Sequence, residues 1–334
     1  MFDKVFIEKD SHQKESALSI LNKVKYNTLI EIDDISKHWG TYKKPYLHKR
    51  TNLNLYIGEK KGTLVKEAPP AYGHGTEKHY YFIHAYNCIY ECQYCYLQGH
   101  FNSPDIVLFI NHEDIVKEME ELCSLEENKD AWFHAGEFSD SLALSHITNE
   151  LEVYFDFFKR YPQTKLELRT KSSNIMPLLK LEPLKNVFVS FTLSSHEAGK
   201  AFDYRCPSVR SRLTSIKKLV EHGFNIGIHF DPIIYHPNFE QDYEKLLTEL
   251  ASILPSEQLG YISIGVVRFT KDVYKEVENN YPDSPITKQD YIKSFDNKVR
   301  YNLAMRMWIL NTVKNICIKN EYEESKIYLC MEDQ

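Results

Sequence analysis

Residues 87–98 read NCIYECQYCYLQ, which puts three thiols, Cys88, Cys92 and Cys95, within eight residues. Spaced by three residues and then by two, they are able to converge on one centre, and thiolates are soft ligands that suit zinc or an iron–sulfur cluster. A structural zinc site takes four protein ligands. Three thiols are one short, and no fourth cysteine lies nearby. A [4Fe–4S] cluster held by three cysteines leaves one iron open to a small molecule. The other reading is a zinc knuckle completed by a residue such as His84 or His100.

What surrounds the triplet decides the fold. From about residue 79 onward, short apolar runs alternate with amphipathic stretches. Strands are expected over 80–85, 131–136, 165–170, 187–193, 225–231 and 261–269, with helices over 147–159, 208–222 and 243–253. Strand–helix alternation with strands buried on both faces predicts a parallel sheet. Six such units predict an α/β fold built as a partial (β/α)6 TIM-like barrel over residues 76–275. An N-terminal extension over 1–75 begins with a strand near residues 4–8 and holds a Tyr/Lys-rich stretch at 39–56. The turn-rich segment 68–75 (APPAYGHG) is the expected boundary. A C-terminal extension over 276–334 reads as helix-rich over 288–319 and ends in a short strand at Cys330.

In barrels of this kind functional groups gather at the carboxyl ends of the strands. Those ends carry the cysteine loop, Gly136-Glu137, Thr170-Lys171, Thr192 and Ser194, Asp231, and Arg268. The net charge of −6 argues against a broad non-specific grip on nucleic acid, although residues 1–80 carry 14 Lys+Arg against 10 Asp+Glu and leave room for a local basic face. Seven cysteines in 334 residues do not make a disulfide scaffold. The opening MFDKVFIEKD lacks the apolar core of a secretion signal, and no stretch approaches a membrane span. A cytoplasmic protein with free thiols and no membrane partner is expected.

The C-x3-C-x2-C triplet after the first strand of a β/α repeat resembles the signature of the radical S-adenosylmethionine superfamily. The longer string ending in YCYLQ resembles the spore photoproduct lyase family within it, as do VFIEKD at the start, NHED at 111–114, FSD at 138–140 and TKSSN at 170–174. The Ser208…Arg212 segment, DPII at 231–234, RFTK at 268–271 and YLCME at 328–332 extend the likeness. The resemblance implies that Cys88, Cys92 and Cys95 ligate three irons of a [4Fe–4S] cluster while S-adenosylmethionine chelates the fourth. It implies reductive cleavage by an electron donor of flavodoxin or ferredoxin type, giving a 5′-deoxyadenosyl radical that takes hydrogen from a nucleic-acid base, a nucleotide or a related small molecule. Glu137, Ser139, Lys171, Thr192, Ser194 and Asp231 are the implied cofactor-binding residues. Tyr94 and Tyr96 match tyrosines that relay a radical or hydrogen atom, with aromatic packing as the other reading of Tyr96.

One departure stands out. Where the lyase has a catalytic cysteine in C-T-S-D, this chain has Glu137 in Glu137-Phe138-Ser139-Asp140. A carboxylate has no weak S–H bond to donate. Ala135-Gly136-Glu137 instead resembles the Gly-Gly-Glu motif that holds a methionyl ammonium, and a structural partner for a barrel cation is the alternative. Among the remaining thiols, Cys123, Cys317 and Cys330 read as inert packing, and Cys206 is singled out because its loop follows the fourth strand.

Overall fold

The computed structural model describes residues 2–47, 52–69, 77–294 and 296–332. The expected boundary at 68–75 therefore lies, from residue 70 on, outside the described residues.

The main sheet has eight strands. Seven run parallel in the order His79–Phe82, Trp132–Ala135, Lys165–Thr170, Val187–Thr192, Asn225–Ile233, Leu259–Val266 and Ile327–Leu329. The short strand Val65–Glu67 adds antiparallel to the first. No pairing joins the two outer strands among the described residues, so the barrel is open. Expected strand positions hold to within a few residues, and the terminal strand, ending at Leu329 just before Cys330, supplies the seventh parallel member.

Alternation along the strands explains the layers. Phe133, Leu166, Leu168, Val189, Ile228 and Ile262 are essentially buried and form one core with residues of the flanking helices, among them Leu151, Phe158, Ile216, Leu246 and Leu250. Between them, His134, Glu167, Ser190, His229 and Ser263 sit on the other, concave face and are buried as well. Helix Val209–His222 shows the local signals: Ser208 caps it by accepting the Ser211 amide, and Gly223 ends it at φ 100, a left-handed conformation suited to glycine.

A second sheet, in the order Tyr26–Ile32, Phe2–Glu8, Leu55–Gly58, Ile106–Phe109 and Ala85–Tyr86, joins the N-terminal extension to the segments on either side of the cysteine loop. The sequence reading changes in two places. The run 261–269 breaks after Val266, and Arg268–Thr270 turns into a separate three-stranded sheet with Tyr291–Lys293 and Lys298–Tyr301. Residues 291–293 and 298–301, expected within a helix, are thus strands. Val299 and Tyr301 alternate inward with the period of two that a strand requires, and the helix begins only at Leu303 behind the cap of Asn302.

Candidate functional site

The cysteine loop hangs between Ala85–Tyr86 and the short helix Leu97–His100, just beyond the carboxyl end of the first parallel strand. Its start is pinned. Asn87 adopts φ 62 and donates from Nδ2 to the carbonyls of Ser103 (2.6 Å) and Asp105 (2.8 Å), while its own carbonyl accepts from the Ser139 hydroxyl at 2.7 Å. Ser139 thereby ties the loop after the second strand to the residue before Cys88. Cys92 is buried, with Cys88 and Cys95 partly so. Burial, followed by the nearby Asp140 charge, raises the Cys88 thiol well above the usual range.

The middle of the loop is gripped from the fourth-strand side. Glu91–Cys92 pairs antiparallel with Asp203–Tyr204. Asp203 accepts from Arg212 Nη2 at 2.6 Å and from the Tyr94 hydroxyl. Arg212 also donates to the Thr192 carbonyl at 3.0 Å, so the fourth strand, this clamp and Tyr94 form one buried unit. Cys206 Sγ lies 3.4 Å from Cys92 Sγ. That contact outweighs burial and lowers the Cys92 thiol.

Lys171 Nζ stands 5.3 Å from the centroid of the Tyr94 ring. Burial works against its charge, but the surrounding Cys92, Asp203 and Cys206 hold the ammonium above its ordinary pKa. Its backbone is fixed by Asp140, whose carboxylate accepts from the Lys171 amide (2.8 Å), the Thr170 hydroxyl (2.6 Å) and the amides of Leu142 (3.0 Å) and Ala143 (2.9 Å). Gly136, at φ 83, makes the turn into this loop, and a Cβ there would stand 2.6 Å from Ser141 Oγ. The Tyr96 hydroxyl donates to the Glu137 carbonyl. Tyr96 and Glu137 thus meet, whereas Tyr94 is committed to Asp203. Ser194 is buried next to Ser195, which caps helix His196–Phe202. Asp231 is engaged by Arg268 through two 2.9 Å contacts; burial would raise its pKa, and the guanidinium holds it below the usual carboxylate range.

Of the two histidines named as completing a zinc knuckle, neither joins the cysteines in a group of ligand atoms within 4.8 Å of one another among the described residues. His84 is buried, with its pKa pushed down to about 4 by burial, and His100 stacks on Phe138 at 5.0 Å. Three thiolates around one zinc stand roughly 3.8 Å apart, given Zn–S bonds of about 2.3 Å. Among the described residues, the trio of His, Cys, Asp or Glu whose ligand atoms all lie within 4.8 Å is Cys92, Asp203 and Cys206, not the triplet. Asp203 is already spent on Arg212 and Tyr94. The donor set of three soft thiols spread around the loop fits a multi-iron cluster better than a single ion.

Sequence reasoning missed a second polar group, on the concave face. Glu167 receives His134, His229 Nε2 (2.7 Å), Tyr261 and Arg169 Nη2 (2.9 Å), and His134 Nε2 lies 2.9 Å from His79 Nδ1. The signal was present as polar residues at alternate positions of strands whose other positions are wholly apolar.

Fold and site together define an open α/β barrel with a cysteine triplet at its carboxyl mouth, the arrangement of the radical S-adenosylmethionine proteins it resembles. The family model described as spore photoproduct lyase matches residues 3–326, and the chain belongs to that family. It is 27% identical over 205 residues to spore photoproduct lyase of Geobacillus sp. (strain Y412MC61), covering 60% of each chain, and 24% identical over 242 residues to that of Bacillus subtilis (strain 168), covering 72% of this chain and 69% of the relative. The match to the Geobacillus protein therefore spans less than two thirds of its length. A solved spore photoproduct lyase variant with bound AdoMet and dinucleoside spore photoproduct superposes with a TM-score of 0.83 at 21% identity, covering 100% of this chain and 99% of that one. Among the described residues no helix is long and apolar enough to cross a membrane.

Proposed function

We propose that this chain is a radical S-adenosylmethionine enzyme in which Cys88, Cys92 and Cys95 hold a [4Fe–4S] cluster and the neighbouring strand ends hold S-adenosylmethionine. The observation that carries the reading is the cysteine loop itself, anchored at the carboxyl mouth of an open parallel barrel with the half-buried Lys171 ammonium 5.3 Å from the Tyr94 ring of that loop. When bound, the two cofactors supply a 5′-deoxyadenosyl radical that abstracts hydrogen from a substrate.

The chain's own residues do the rest. Lys171 would hold the carboxylate and Glu137 the ammonium of the methionyl group of S-adenosylmethionine. Ser139 locks the Glu137 loop to the cysteine loop through Asn87. Thr192 and Ser194 line the end of the fourth strand. Asp231 acts through Arg268, to which its carboxylate is committed. Tyr96, 40% exposed and tethered to Glu137, is the tyrosine with access to an incoming substrate, while Tyr94 is braced against Asp203.

The substrate in this reading is a nucleic-acid base, a nucleotide or a related small molecule, and the electron comes from a donor of flavodoxin or ferredoxin type. A second reading is a true photoproduct lyase with a different hydrogen donor. It draws on the family and on the relatives named for that activity, and it must account for Glu137 where a thiol would donate. The third, a zinc-stabilised binding module, is disfavoured by the spread of the three thiols.

The test is anaerobic reconstitution with iron and sulfide, then dithionite and S-adenosylmethionine. About four irons with matching sulfide per chain, and release of 5′-deoxyadenosine, are expected; Cys92→Ala removes both. One bound zinc and no nucleoside would sink the reading. Incubation with dinucleoside spore photoproduct then separates the first two readings, because repair supports the second.

A further inference from the structure

Cys206 has no place in the triplet, yet the fold brings it there. Asp203 pairs with Cys92 and Tyr204 with Glu91 in a two-residue antiparallel bridge, extended by the Gln93 amide on the Phe202 carbonyl at 2.9 Å. The chain then turns back through Arg205 at φ 60, a left-handed conformation uncommon for a residue with a side chain, and the Cys206 amide closes on the Asp203 carbonyl at 3.1 Å. Arg205 Nε holds the turn from outside, 3.3 Å from Glu91 Oε2. The outcome is a thiol 3.4 Å from the sulfur of Cys92, within reach of a hydrogen bond between sulfurs.

We propose that Cys206 donates an S–H···S hydrogen bond to the Cys92 sulfur and thereby sets the reduction potential of the iron–sulfur centre. This rests on the cluster reading given above, and it makes Cys206 a positioning residue rather than a catalytic one. A cysteine that ligates iron is a thiolate and carries no proton, so the proton between the two sulfurs belongs to Cys206. Asp203, an oxygen of which lies within 4.8 Å of both sulfurs, already accepts from Tyr94 and Arg212. Hydrogen bonds to ligand sulfurs are among the levers that set cluster potentials. A donor draws electron density from the sulfur, favours the reduced cluster and raises the potential.

The experiment compares the full-length chain with Cys206→Ala and Cys206→Ser, each reconstituted anaerobically and free of S-adenosylmethionine. Iron and sulfide per chain are measured, and the midpoint potential is followed by electron paramagnetic resonance during reductive titration. All three proteins should hold the same iron. The alanine variant should titrate at a more negative potential, and the serine variant, whose hydroxyl still donates, should return toward the parent value. An alanine variant at the parental potential overturns the proposal. So does one that loses iron, because Cys206 would then be a ligand, and so does a serine variant that behaves like alanine. A parent chain that takes up no iron defeats the cluster reading instead, a result distinct from these.

Discussion

Arg212 Nη2 lies 2.6 Å from Asp203 Oδ2, and both side chains are 1% exposed. The pair joins the helix after the fourth strand to the bridge that holds the cysteine loop. Removing one member strands the other as a buried charge. Arg212→Met should destabilise the protein by about 3–5 kcal/mol, and the Asp203→Asn, Arg212→Met double variant by less than the sum of the two single changes. Urea unfolding of the four proteins checks this; additive losses would show that the pair is not coupled.

Asp140 is the staple between the second and third strand ends, accepting four hydrogen bonds in all. Asp140→Ala leaves two or more of those donors unmet and should cost about 2–3 kcal/mol. Because the Lys171 amide is one of the donors, cofactor binding should weaken as well. Unfolding curves and equilibrium dialysis with labelled S-adenosylmethionine measure the two effects separately.

Glu137 stands where the lyase has its cysteine. If its carboxylate holds the methionyl ammonium, Glu137→Gln should raise the Kd for S-adenosylmethionine about tenfold, a loss near 1.4 kcal/mol, with little change in stability. Lower stability at an unchanged Kd would assign it a structural role.

His84 and His112 are buried, and burial pushes their pKa values down from 6.5 to about 4 and about 3. His112 Nδ1 also meets the Tyr154 hydroxyl at 2.9 Å. Below pH 6.5 the unfolded chain takes up protons that the folded chain refuses. The stability from keeping these rings neutral is complete above 6.5 and is lost as the pH falls toward 4. The slope should approach about 1.4 kcal/mol per pH unit for each histidine. Urea midpoints between about pH 7 and pH 5 should show it, and His112→Gln should make the dependence shallower.

The barrel strands were legible because each is a short apolar, β-branched or aromatic run set between helical periods, and Lys165–Thr170 falls where the pattern put it. The triplet was legible from spacing alone. The clamp on the loop was not. Asp203, Cys206 and Arg212 lie more than 100 residues from Cys92, and nothing local in RCPSVRSR announces a partner so far upstream. Likewise Glu167, His134 and His229 come together only because separate strands turn them to the same face of the sheet. The strands Tyr291–Lys293 and Lys298–Tyr301 were missed because they are only a few residues long and stand directly before a long helix.

The N-terminal sheet ties the cysteine loop to sequence far upstream of it. Leu55–Gly58 pairs with Ile106–Phe109, which pairs with Ala85–Tyr86, and the Asn54 amide reaches Asp105 Oδ1 at 3.0 Å. The segments bracketing the three thiols thus rest on Leu55–Gly58, which in turn rests on Phe2–Glu8. A chain clipped at its N-terminus would keep the same three cysteines but lose the strands on which the segments either side of them rest.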